Sequence, residues 1–177
     1  MRLLVLCAAA MLCACQPNVF HTEVKGSSTI QGDPSPIAGL LNAFPGVSNF
    51  SNIDFNQNQD FKNQGVSKDQ VSSVKVESVK LQITSPNDQD FTFLTSMKFD
   101  ASTDGKPAVT VAQKDGIDKL NLPAPNPTLD MDVTNAELRD YVTAPNMSIN
   151  VTGNGRLPKQ DTTLEATVGL RVEIKVF

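Results

Sequence analysis

One imidazole, His21, and three thiols, Cys7, Cys13 and Cys15, make up the chain's whole supply of soft metal ligands and near-neutral acid–base groups. A serine or cysteine hydrolase needs an imidazole beside its nucleophile. His21 follows Cys15 by six residues, where no pocket is indicated, and reads as a surface or strand-edge residue. Structural zinc takes four ligands, mostly His and Cys, and once the N-terminal segment read below as a leader takes Cys7 and Cys13 with it, only His21 and Cys15 remain. No phosphate loop, dinucleotide fingerprint or nucleophile motif occurs. Any chemistry must then come from carboxylates.

Three groups of acids are candidates. Asp54-Phe55-Asn56-Gln57-Asn58-Gln59-Asp60 sets oxygen side chains at the first, third, fifth and seventh places of a calcium loop. Its sixth place is Gln59, where the sharp turn needs Gly, and its twelfth is Gly65, where a bidentate Glu belongs. As a strand the same stretch sends Ile53, Phe55 and Phe61 to one face, and the strand reading is preferred. The turn acids Asp104, Asp115 and Asp118, with Asp100, would bind calcium if a β-fold gathered them at one end. Asp-Gly is equally ordinary turn chemistry. Asp130 and Asp132 fall on one face of an expected strand, like a glycosidase pair, but such pairs come with a cleft. With no Trp and one Tyr, Tyr141, stacking on sugars is poorly supplied.

The elements that must position these residues are mostly strands. Leu164, Ala166, Val168, Leu170, Val172, Ile174 and Val176 are consecutive even positions, with mainly polar residues between them. That period of two predicts a long half-buried strand, with Gly169 marking a bend or bulge between sheets. Residues 74–84 form a second, whose apolar parity switches near Glu77-Ser78 and so predicts a bulge. Further strands are expected over 22–30, 52–61, 96–102, 107–112, 128–133 and 147–152. Turn signals at Pro86-Asn87-Asp88, Asp104-Gly105, Asp115-Gly116 and Gly153-Asn154-Gly155 divide them. Residues 36–43 and a piece opened by the capping box Thr134-Asn135-Ala136-Glu137 are the two short helices, and Ser67 to Gln70 supports one turn. Together these predict a mainly β fold, a single antiparallel sandwich of about eight strands with one or two short helices. A flattened barrel is the alternative.

The first fifteen residues read differently. Met1-Arg2 and an apolar run from Leu3 to Met11 end in Leu12-Cys13-Ala14-Cys15. The run is too short to span a bilayer. This segment resembles a bacterial lipoprotein precursor, whose lipobox is an aliphatic residue, two small residues and a cysteine. The resemblance implies cleavage between Ala14 and Cys15, diacylglycerol on the Cys15 sulfur and an acyl group such as palmitate on the new terminus. Several chains exceed what stable anchoring needs. Gln16, rather than Asp, then implies sorting to the outer membrane. A secretory site at Ala8-Ala9-Ala10 and a buried first strand are weaker alternatives. The organisation expected is a signal peptide over 1–14, a lipidated tether over 15–18 and one β-domain over 19–177, with no thiol left for a disulfide and no cofactor.

Residues 50–112 carry a second resemblance. Ser73-Val74-Lys75-Val76-Glu77-Ser78-Val79-Lys80-Leu81-Gln82-Ile83-Thr84-Ser85-Pro86, Asp90-Phe91-Thr92-Phe93-Leu94 and Met97-Lys98-Phe99 are similar to uncharacterised β-rich lipoproteins of Gram-negative bacteria. These motifs are strand and turn chemistry and bring no activity with them. Charge narrows the partners further. Lys plus Arg is 15 against 19 Asp plus Glu, a net −4 that becomes −5 without Arg2, so a basic nucleic-acid surface is not suggested. The expectation is a non-catalytic binding or structural module of the envelope, held to the membrane by lipid on Cys15 and meeting an envelope protein. Its recognition surface would be strand edges or the loops around Asp88, Asp104, Asp115 and Asn154. A calcium- or glycan-dependent adhesin domain is the alternative, and an envelope hydrolase a remote third.

Overall fold

The computed structural model describes residues 18–35, 40–41 and 50–175. The C-terminal alternation is realised in β9 (Thr162–Ile174), where even positions from Thr162 to Val172 are buried and odd ones face outward. On one side β9 pairs antiparallel with β1 (Val19–Ile30), from Val19↔Glu173 to Ile30↔Thr162 without a register shift. On the other it pairs antiparallel with β3 (Val71–Ser85), and β6 (Thr128–Asp130) completes the order β1-β9-β3-β6. The parity switch expected at Glu77-Ser78 is a register shift between Val76 and Ser78 in β3. Gly169 is not the bend itself, and β9 never leaves its sheet. Gly169 faces the bulge on its partner, where an added Cβ would lie 2.6 Å from the Ser78 hydroxyl oxygen.

The second sheet runs β2-β8-β4-β5-β7. Its strands are β2 (Leu40–Leu41), β4 (Leu94–Ser102), β5 (Val109–Asp115), β7 (Asp132–Val133) and β8 (Ser148–Arg156). β6 and β7 are one run of chain that changes sheets. The N–H of Met131 donates to the Val79 carbonyl, and two residues past Asp132 the N–H of Thr134 donates to Val111. This crossing closes one side of the sandwich. Inner faces of both sheets join in one apolar core with Phe50, Phe55, Phe61, Phe91 and Phe99 fully buried, and Phe20 meets Phe61 edge-on at 5.0 Å.

Four local expectations are corrected. Residues 52–61 are not a strand: Ile53 bridges Met147, and α1 (Gln59–Gln64) follows a turn. Asn58 caps that helix by accepting from the N–H groups of Asp60 and Phe61, and Gly65 ends it at φ 61°. Of the helix expected over 36–43, Leu40–Leu41 are strand, paired with Arg156 and Gly155, and the rest lies outside the described residues. The helix after Thr134 is one turn, α2 (Arg139–Val142), because Glu137 turns to β3 instead of closing a capping box. Gly153-Asn154-Gly155 lies inside β8; an added Cβ on Gly155 would sit 2.1 Å from the Phe93 carbonyl oxygen. The glycine there permits close strand approach, and the chain reverses only after Pro158. The turn at Ser67 forms as expected, with Gln70 Oε1 accepting from the Ser67 N–H and hydroxyl.

Candidate functional site

Strand direction sorts the loops into two ends. At the start end lie the first residues of β1 and β3, the β4–β5 hairpin, α1 and α2. At the far end lie Ile30, the loop after β3, the turn after β5 and the β8–β9 connection. β1 alone separates the ends by about 40 Å.

This sorting separates the turn acids. Asp104 is in the β4–β5 hairpin at the start end, whereas Asp115 closes β5 at the far end and Asp118 follows in a 3-10 turn. Seven-residue β5 stands between them, about 20 Å of extended chain. Asp100 is on the sheet, 2.8 Å from Lys98 and accepting from the Thr110 hydroxyl at 2.7 Å. The convergence that calcium would need does not form. The acidic stretch before α1 is also spent on structure. Asp54 Oδ1 lies 3.0 Å from Lys68 Nζ and accepts from the Asn56 N–H, and Asn58 is the helix cap. The Lys68 hydrogen bond and then the Asn56 N–H hold the Asp54 carboxyl below its usual range. Asp130 and Asp132, expected on one face, belong to different sheets and pair with Lys80 and Lys114 respectively. Among the described residues no group of three His, Cys, Asp or Glu could hold a metal ion.

His21 sits on the exposed outer face of β1, its Nδ1 2.8 Å from Glu77 Oε2. No hydroxyl nucleophile shares that hydrogen bond. Ala14 and Cys15, the proposed cleavage and lipidation residues, lie outside the described residues. Among the described residues no helix is long and apolar enough to cross a membrane.

A wide concave surface lies at the far end, a groove of about 860 Å³ whose lining includes Asp88, Gln89, Phe93, Arg156, Pro158 and Lys159. Its walls are fixed locally. Asp90 accepts from the N–H and hydroxyl of Thr92 and so caps the 3-10 turn carrying Phe93. Opposite, the N–H of Asp33 donates to Pro158 at 2.7 Å. Among the described residues, the side chains of Asp88, Arg156 and Lys159 make no hydrogen bond or ion pair, so both signs of charge stand ready in the groove. Sequence reasoning chose Asp88 but missed Arg156 and Lys159. Isolated cations carry no periodic signal; Pro158 between them was the available mark of a turn. No buried side-chain nitrogen or oxygen among the described residues lacks a hydrogen bond. The groove thus gathers two cations and a carboxylate around the buried Phe93 ring.

Glu137 is a different kind of carboxylate. Partial desolvation opposes its charge. Hydrogen bonds from the Ser73 hydroxyl and from the Val74 and Arg139 N–H groups outweigh that and lower its pKa from the ordinary 4.5. The carboxylate ties the segment before α2 to β3. Because the folded pKa is depressed, the tie contributes fully above about pH 4.5 and is lost as pH falls through the folded value. Glu137→Gln should therefore lower stability near neutrality and flatten its decline below pH 4.5. Denaturant midpoints measured from pH 3 to 7 check this; parallel curves for the two proteins would contradict it.

No protein-family model matches this chain, and no curated protein is significantly similar to it.

Proposed function

We propose that this chain is a lipid-anchored envelope protein, held to the outer membrane through Cys15, whose β-sandwich binds a macromolecular partner without catalysis. The observation that supports this best is the opposition of the two ends. The chain enters the sandwich at Val19, and the mixed-charge groove lies beyond Ile30 at the other end of the same strand. A body attached at one end can present the other. The groove lining combines a buried aromatic, Phe93, with exposed Arg156, Lys159 and Asp88, the polar composition of a non-obligate contact.

Cys15→Ser should abolish lipid labelling and leave the precursor uncut; intact mass showing a mature terminus other than acylated Cys15 would reject the anchor. For binding, Arg156→Glu with Lys159→Glu should weaken partner capture from detergent-solubilised envelopes about tenfold, at unchanged Tm. His21→Ala should leave capture and phenotype intact. A His21→Ala protein that folds and localises normally but loses all activity would establish chemistry instead.

A further inference from the structure

Among the described residues, three of the four sheet edges are short: β2 and β7 have two residues each and β6 has three. The fourth, β1, runs twelve residues with no proline and no register shift. Long regular edges are templates for another strand, and proteins ordinarily interrupt them.

The direction of its free backbone groups follows from one hydrogen bond. The Ile174 N–H donates to the Asn18 carbonyl, so even positions of β1 exchange hydrogen bonds with β9. Odd positions therefore turn their N–H and C=O outward. Ser27 and Ser28 are engaged in other interactions, which leaves Val19, His21, Glu23 and Lys25 as the available stretch. No hydrogen bond to the outer backbone of those four residues occurs among the described residues.

We infer that this edge pairs with a second copy of the chain, antiparallel about a two-fold axis at Thr22. Side-chain chemistry selects that register. Centred on Thr22, His21 stands opposite Glu23 of the second copy, Phe20 opposite Val24, and Thr22 opposite itself. Imidazole–carboxylate, aromatic–β-branched and Thr–Thr pairs are all favourable across strands. One step to His21 sets two imidazoles face to face, and one step to Glu23 sets two carboxylates face to face. Centring on Val24 would recruit Ser27 and Ser28, already engaged. The chosen register offers eight backbone hydrogen bonds, two at each of four residues of each edge shared between the copies. It also sets the two Val19 residues about 20 Å apart on either side of the axis. Confinement to a membrane raises the effective concentration that so small a contact needs.

Cysteine pairing reads the register directly. Opposed hydrogen-bonded residues have Cα atoms about 5.5 Å apart, within disulfide reach. Two residues at the same position, His21 with His21 or Glu23 with Glu23, would be about 9 Å apart and out of reach. The experiment uses the full processed protein, reconstituted in phosphatidylethanolamine–phosphatidylglycerol vesicles, with the wild-type chain as baseline. A mixture of His21→Cys and Glu23→Cys proteins should form a linked dimer under mild oxidation, and neither alone should exceed baseline. Glu23→Lys should weaken dimerisation about tenfold by sedimentation in detergent, and adding His21→Glu should restore it. Equal linking of the single variants, a wild-type protein that stays monomeric, or linkage only to a different polypeptide would each overturn the inference. Capture at the far-end groove is read separately, so failure of either result leaves the other standing.

Discussion

Val168→Asp is expected to abolish folding at ordinary temperature. Val168 is fully buried in the central strand of its sheet, flanked by Val24 on β1 and Val79 on β3. Among the described residues no charged side chain is buried, so the carboxylate must either shed its hydration unpaired or stay protonated. The cost should exceed about 4 kcal/mol, a large part of the 5–15 kcal/mol by which such domains are stable. Glu173→Ala, on the outward parity of the same strand, breaks only an exposed pair with Arg171. It should cost no more than about 0.5 kcal/mol. Denaturant titration of both proteins is the check, and equal losses would refute the assigned faces.

The second large effect is expected at Gly155. A Cβ there would lie 2.1 Å from the Phe93 carbonyl oxygen and 2.9 Å from the Leu94 Cα. Both are backbone atoms that cannot swing aside. Gly155→Ala must push β8 from β4 and should cost about 3 kcal/mol, in the range of overpacking. Gly105→Ala is the useful contrast. It meets open space but must hold φ near +73°, so about 1 kcal/mol is expected. Gly155 also holds a positive φ of 155°, so thermal unfolding of the two variants shows what the backbone clash adds to that conformational cost; similar losses would mean that Gly155 is present for backbone freedom alone.

Gly155 also shows how far the sequence could be read. A glycine that ends a strand and a glycine that lets two strands touch have the same letter. Only the partner backbone tells them apart, and that partner is far away in sequence. Period two was legible wherever one face is core and the other solvent, as along β9 and on both sides of the Glu77 bulge. It misled at residues 52–61, where Phe55 and Phe61 are both buried but by a turn and a helix capped at Asn58. Local hydrogen bonding by Asn58 outweighed the alternation, which spans too few residues to decide. The acids followed the same rule. Asp54 and Asp60 went astray with that stretch; Asp104, Asp115 and Asp118 were rightly placed at turns, yet whether Asp104 meets Asp115 depends on strand direction, which no residue spacing encodes. The groove cations escaped because their neighbours in space come from three separate connections.

The unshifted pairing of β1 with β9 has a mechanical consequence. A pull on the chain where it enters at Val19, resisted by a load held beyond Ile30, acts along β1 and parallel to both strands. Their hydrogen bonds, which lie across that direction, are then sheared together instead of being opened one after another. The same strand peeled sideways would yield bond by bond. A body fixed by its first strand and loaded at the opposite end would thus meet tension along the direction in which this pairing resists best.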